Sequence, residues 1–157
     1  MFPGPYRAAS KAGVFIGMLA FYDIYAKHEL LTKDSDLEYI AVHGTVGGYA
    51  IYVDCWLQRE DNGEDTVHFS PRLCGGEWDH YLQWPFSKKI TVIVTHLTNS
   101  EKDIRLPMKE VSGHDYIKKP DSASCNLPVD SEDVKWKDLE LNGFIVNKTL
   151  YVNIEFE

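Results

Sequence analysis

Apolar and polar residues alternate along several short segments of this chain, and a period of two residues is typical of half-buried β-strands. The longest such segment runs over residues 48–58. It predicts a strand with a core face, formed by Ile51, Val53, Cys55 and Leu57, and a half-solvated face, formed by Tyr52, Asp54 and Trp56. A second strict alternation begins at Val152 and ends the chain. The pattern therefore predicts a protein built mainly from strands.

Turn signals divide the remaining sequence into further strands. The polar residues 59–65, centred on Asn62 and Gly63, join the first alternating segment to residues 66–74 as an antiparallel hairpin. Pro71 interrupts the returning strand, which indicates a sheet edge or a bulge. Other segments are strand-like as well, namely residues 13–16, 39–42, 90–97, 104–106 and 143–146. Residues 23–31 fit either a short helix or a ragged strand.

Many short strands with almost no helix predict an all-β fold, an antiparallel β-sandwich. We expect one domain over residues 13–157, preceded by a flexible lead-in at residues 1–12. Residues 107–135 are rich in loop-forming residues, and a segment of this length without regular structure usually carries function.

Charge and cysteine content narrow the classes of function. The 157 residues carry a formal net charge of −8, which argues against the basic surface that nucleic acid or an anionic membrane would need. We find neither a signal peptide nor a segment that would insert into a membrane. The three cysteines are widely spaced without a Cys-x-x-Cys pair, so they predict no zinc site and fit the reducing cytoplasm.

The sequence does not indicate catalysis. It contains no Gly-x-Ser-x-Gly, His-Glu-x-x-His or cysteine-protease signature. The best candidate for a nucleophile would be Cys74 or Cys125, activated by His68 or His114. The local sequence supports none of these pairs. His96 and His114 are expected to be solvent or loop histidines. We therefore expect no catalytic residue, no metal ion and no cofactor.

Residues 76–86 form the most specific motif of the chain. They resemble the Gly-x-x-Asp-x-x-Leu-x-Trp-Pro-Phe corner of the TRAF-C or MATH domain of tumour-necrosis-factor-receptor-associated factors, with Asp79 and Leu82 in register. Residues 13–16, 48–49 and 142–157 are similar to other strands of that family. The resemblance implies an eight-stranded antiparallel β-sandwich.

The resemblance also implies a function. Members of this family are adaptors in cytoplasmic signalling and the ubiquitin pathway that bind short extended peptides of receptor tails or signalling adaptors along a sheet edge. Peptide binding is thereby assigned to eight residues of this chain: Asp54, Trp56, Glu60, Ser112, His114, Asp115, Tyr116 and Ser124. A homo-trimer or a TRAF hetero-oligomer is expected if coiled-coil sequence exists outside this chain.

Asp54 and Trp56 depart from the family pattern, which has an arginine and a tyrosine at these positions to hold an acidic peptide residue. An aspartate repels a carboxylate, so a peptide with lysine or arginine should bind better there than an acidic one. The alternative is that Asp54 only solvates the outer sheet face. Trp56 either packs under the loop at residues 107–120 or forms the floor of a peptide pocket, because an uncovered tryptophan between polar residues is costly.

Two other functions stay open at this point. The peptide groove could have decayed, which would leave a structural or oligomerisation sandwich, or the chain could compete with full-length TRAF proteins. The exposure of Trp56 beside an open sheet edge would discriminate between a working groove and a decayed one.

Overall fold

The computed structural model describes residues 3–32, 34–109 and 113–157, and within them it forms nine β-strands and three short α-helices. The strands are β1 (Phe15–Phe21), β2 (Leu37–Val46), β3 (Tyr49–Arg59), β4 (Asp65–Cys74), β5 (Ile90–Val94), β6 (Ile104–Pro107), β7 (Val134–Lys135), β8 (Ile145–Val146) and β9 (Thr149–Phe156). The helices are α1 (Ile24–His28), α2 (His114–Ile117) and α3 (Trp136–Leu141). The predicted all-β sandwich is confirmed, with nine strands in place of eight.

The strands form two antiparallel sheets. One sheet has the order β1-β9-β5-β6 with β8 paired to β9, and the other has the order β2-β3-β4-β7. The apolar positions of β3 and β9 meet between the sheets, and Val53, Leu57, Ile154 and Phe156 have no exposed surface there. Burying each of these side chains contributes about 1.5–3 kcal/mol, so the two alternating segments supply much of the core.

The aromatic corner closes one end of this core. Phe86 is buried, and its ring packs edge-on against Tyr49 at 5.0 Å and Phe156 at 4.9 Å between centroids. The Trp84 indole Nε1 donates a hydrogen bond to the carbonyl of Asp79 at 2.9 Å. The peptide bond between Trp84 and Pro85 is cis, which is common only before proline.

The N-terminal residues contact the solvent side of the β1-β9-β5-β6 sheet. No helix or strand is formed by residues 3–12, yet Gly4 N donates to the carbonyl of Leu97 at 3.0 Å. Arg7 makes two hydrogen bonds to the carboxylate of Asp103, at 2.6 and 3.0 Å. Asn153, at a polar position of β9, is buried beneath this segment, and its Nδ2 donates to the carbonyl of Pro5 at 2.8 Å.

Residues 23–31 adopt the helical alternative as α1. This helix is fixed to α3, since the ring of His28 stacks on that of Trp136 with centroids 4.1 Å apart. The preceding residue, Asp23, has a φ of 52°, a left-handed conformation in which the chain turns from β1 into the helix.

Two expectations from the sequence are corrected. Cys74 and Cys125, at a sequence separation of 51, form a disulfide because the end of β4 and the loop before residue 126 lie side by side. His96 is 5 % exposed and is therefore a core histidine, not a solvent or loop one. By contrast His114 is exposed, as expected.

Candidate functional site

The outer face of the four-stranded sheet carries side chains in three cross-strand rows. The register of β2, β3 and β4 makes the three residues of each row direct cross-strand neighbours. The rows are Tyr39–Trp56–His68, Ala41–Asp54–Ser70 and His43–Tyr52–Arg72. We call these nine residues the outer face. Because side chains of a strand alternate between its two faces, all nine project away from the core. Two of the predicted peptide-binding residues, Asp54 and Trp56, lie at its centre.

Trp56 is half-buried by its cross-strand neighbours. Its ring centroid lies 4.9 Å from that of Tyr39 and 6.2 Å from that of His68, to which it is nearly parallel. These two contacts come from β2 and β4, and neither comes from the loop at residues 107–120 that the sequence suggested as a cover. Rings at these distances stabilise one another beyond the area they bury. Trp56 is thus the middle of an aromatic row.

Asp54 is not a solvated carboxylate, because it is 6 % exposed. Its Oδ2 lies 3.6 Å from Nη1 of Arg72, while no described residue hydrogen-bonds its Oδ1. The guanidinium carbon of Arg72 in turn lies 5.7 Å from the centroid of the Tyr52 ring. The face therefore holds an arginine on β4, next to the aspartate on β3.

Glu60 lies away from this centre, in the turn between β3 and β4. Its Oε1 accepts a hydrogen bond from Oγ1 of Thr66 at 3.2 Å. It lies four positions along the extended chain from Trp56, a distance of about 13 Å. Glu60 is therefore placed at the end of the outer face.

The remaining predicted residues form a separate group, the loop group, consisting of His114, Asp115, Tyr116 and Ser124. The first three belong to α2, and the half-buried Tyr116 lines a cavity of about 390 Å³ together with Phe86 and Met108. The carbonyl of Ser124 accepts a hydrogen bond from Gly75 N at 2.8 Å. Ser112 lies outside the described residues.

Residues 126–131, which we call the border strip, lie between the outer face and the loop group. The strip continues the sheet beyond β4, because its Asn126, Val129 and Ser131 N–H groups donate to β4 carbonyls at 2.8–2.9 Å. On its other side the Leu127 N–H donates to the carbonyl of Asp115 at 3.1 Å. Three strand spacings, about 14 Å, thus separate β3 from the α2 residues of the loop group. Asp54 and Trp56 on one side and the loop group on the other flank a surface formed by β4 and the strip.

Six of the nine residues of the outer face were not found by sequence reasoning, among them Tyr39, His68 and Arg72. A signal was available, because every second residue of residues 66–74 faces the same side as Asp54 once the hairpin register is known. Arg72 matters most, since it offsets the charge on which the expected preference for a basic peptide was based.

The cysteines offer no exposed nucleophile among the described residues. Cys74 and Cys125 are joined to each other, so neither has a free thiol. Cys55 is fully buried in the core, and burial, together with the negative charge of Asp54, raises the pKa of its thiol far above the usual range. A thiol held protonated in this way is not reactive.

Comparison with known proteins gives one family and one fold. A family model described as TRAF/meprin, MATH domain matches residues 41–153. Among 28 matching chains of known structure is TRAF5 of Notothenia coriiceps, which is 18 % identical, with a TM-score of 0.71 over 90 % of this chain and 72 % of that chain. No curated protein is significantly similar. No α-helix in the described ranges is long and apolar enough to cross a membrane.

Proposed function

The chain belongs to the TRAF/meprin MATH-domain family, and from this membership we propose that it is a non-catalytic interaction domain that binds a short extended peptide. The peptide would come from a receptor tail or a signalling partner. The observation that carries the proposal is the aromatic outer face, on which Tyr39 is 51 % and Tyr52 36 % exposed beside the half-buried Trp56. Contiguous exposed apolar surface of this kind marks interaction sites.

The proposed peptide lies over β4 and the border strip, between the two groups of predicted residues. Its side chains on one side would contact Asp54 and Trp56, and those on the other side Tyr116 and Ser124. The surface between the two groups is about 14 Å wide, which is enough for one extended chain, because neighbouring extended chains lie about 4.8 Å apart.

Backbone pairing is the second part of the proposed mechanism. Strand addition needs free N–H and C=O groups at a sheet border. Leu127 and Asp130 already share hydrogen bonds with Asp115 and Lys109, so their outward groups are occupied. We therefore propose strand addition at residues 131–133, just before the two-residue edge strand β7. There the Ser131 N–H pairs inward with β4, and the Glu132 carbonyl accepts from Ser131 Oγ but keeps its second lone pair.

Single-site binding of this type would be weak, in the micromolar range or poorer, and signalling proteins raise it by oligomerisation. A role in TRAF-like signalling in the cytoplasm is part of the proposal. In that compartment thiols are kept reduced, so we expect Cys74 and Cys125 to be found there mainly as the dithiol. Differential alkylation of these two thiols in cell extracts would measure the ratio.

The test is fluorescence anisotropy with two labelled peptides, Pro-x-Gln-x-Glu and the same sequence with lysine in place of glutamate. We expect at least one of them to bind, and Trp56→Ala to weaken that binding about tenfold or more. Trp78→Ala is the matched control, because Trp78 is 52 % exposed at the aromatic corner, outside the outer face. If Trp56→Ala and Trp78→Ala bound the peptide equally well, the peptide-binding site would lie outside the outer face. Absence of binding at high micromolar protein would favour a structural sandwich.

A further inference from the structure

We infer that the outer face recognises a basic side chain, an arginine or lysine of the bound peptide, held between the Tyr39–Trp56–His68 row and the carboxylates beside it. The inference rests on the proposed function, because it names the ligand chemistry of that surface. Three features of the described residues support it: an aromatic row, a set of carboxylates and an arginine of the chain itself.

The aromatic row supplies the flat surface that a cation prefers. Tyr39, Trp56 and His68 lie side by side across three strands, with ring centroids 4.9 and 6.2 Å apart. A guanidinium or ammonium group over such rings is attracted by their negative faces, most strongly by tryptophan. Half of Tyr39 is exposed, so a partner can reach the row from solvent.

Carboxylates border this row on the side of β4. Oδ1 of Asp133 lies 3.6 Å from Nδ1 of His68, and Oδ1 of Asp130 accepts a hydrogen bond from Oγ of Ser70 at 2.5 Å. Between the rows Asp54 is more than nine-tenths buried and its Oδ1 has no hydrogen-bond partner among the described residues. A buried carboxylate oxygen without a donor is unusual. A basic side chain held over the neighbouring row would place the opposite charge close to this carboxylate.

Arg72 shows how this face holds a guanidinium. Its side chain lies over the ring of Tyr52 and within 3.6 Å of Asp54 Oδ2. The row of Tyr39, Trp56 and His68 lies on the other side of the same aspartate, with aromatic rings at the corresponding strand positions. A basic side chain of the peptide over Trp56 would thus lie on the opposite side of Asp54 from Arg72. Since the whole chain carries a charge of −8, the long-range field also favours a basic partner.

The experiment compares an arginine peptide, Pro-x-Gln-x-Arg, with its citrulline form, which has nearly the same shape and no charge. Both are measured by anisotropy together with the glutamate peptide. We expect the arginine peptide to bind about tenfold more tightly than the citrulline peptide. Asp54→Asn and Tyr39→Leu should each remove most of this ratio. Asp138→Asn removes the same charge from an exposed position of α3 and should leave the ratio unchanged.

Equal affinities for arginine and citrulline would overturn the inference. So would tighter binding of the glutamate peptide, and if Trp56→Ala then weakened that binding, the proposed function would stand while its ligand chemistry would be acidic. If none of the three peptides bound, both proposals would fail. Each variant is checked for a cooperative thermal transition. If Asp54→Asn did not fold, the effect of Tyr39→Leu, at an exposed position, on the ratio of arginine to citrulline peptide affinity would decide whether the inference holds.

Discussion

Nε2 of His28 lies 2.6 Å from Oδ2 of Asp65, and this contact joins α1 to the first residue of β4. The same carboxylate accepts hydrogen bonds from Arg59 Nε at 2.9 Å and Nη2 at 3.2 Å. Asp65 is therefore the point at which the helix, the end of β3 and the start of β4 are fixed together.

This arrangement predicts acid sensitivity. The pKa of Asp65 is held below its ordinary value chiefly by the hydrogen bond from Arg59; burial opposes the shift and His28 adds to it. Because the folded pKa is lower than the unfolded value of about 3.9, the stabilisation is present above that pH and is lost as the pH falls through the folded pKa. Asp65→Asn should cost about 1–3 kcal/mol at neutral pH and flatten the decline in stability below about pH 4.

Urea unfolding at several pH values measures this effect. Glu64→Gln is the matched control, since Glu64 is exposed and its ion pair with Lys135, at 3.9 Å, is also exposed. Its unfolding free energy should change by less than about 0.5 kcal/mol. An unchanged pH slope in Asp65→Asn would show that other carboxylates cause the acid sensitivity.

The disulfide predicts a dependence on reductant. Closing a loop of 51 residues limits the unfolded chain, which by the loop-entropy relation stabilises the fold by about 4 kcal/mol. We expect dithiothreitol to lower the thermal midpoint by many degrees. A variant with Cys74→Ser and Cys125→Ser should melt near the reduced protein and should not respond to the reductant. A full response in this variant would mean that the reductant acts at another place.

Buried His96 should be essential for stability although no function is assigned to it. Its Nδ1 accepts from the backbone N–H of Asn99 at 3.1 Å, and Nε2 lies 2.8 Å from the carbonyl of Asn142. His96→Phe keeps the ring but leaves these backbone groups without partners, at a cost of about 2–4 kcal/mol. His114→Ala, at an exposed position of α2, should change the unfolding free energy by less than about 0.5 kcal/mol. Chemical denaturation of both variants tests the difference.

The parts of the fold that were predicted from the sequence are those with a repeating local signal. The alternation in residues 48–58 fixed which side chains of β3 face the core, and Asn62-Gly63 fixed the hairpin. The two-residue strand β7 is too short to show a period, so this ninth strand could not be anticipated, whereas β8 lies within the segment 143–146 that was predicted to be strand-like.

The site was predicted less completely because it depends on contacts between strands. Asp54 and Trp56 could be assigned to the outer face from β3 alone. Arg72 joins them only through the register of β4, and the disulfide only through the closure of a long loop, neither of which leaves a local pattern. The charge of the outer face was therefore inferred from Asp54 alone, without the contribution of Arg72.

The pair of Asp54 and Arg72 gives the last prediction. Arg72→Met removes the cation and leaves a carboxylate that is 6 % exposed without its partner, which should cost about 1–3 kcal/mol. Because Arg72 itself is partly exposed, we expect the lower half of this range. The double variant Asp54→Asn/Arg72→Met should be more stable than the sum of the single effects predicts, since the neutral amide does not need the guanidinium. Urea unfolding of the four proteins gives the coupling energy.

The same variants report on binding. In Arg72→Met the carboxylate of Asp54 no longer has an internal cation beside it, so an arginine of the peptide would face the full negative charge. We expect the arginine peptide to bind Arg72→Met several-fold more tightly than the wild type, and the citrulline peptide to bind both alike. Asp54→Asn in the same background should abolish the gain. Weaker binding of the arginine peptide to Arg72→Met would mean that Arg72 contacts the ligand directly, and the outer face would then be a site for an acidic residue.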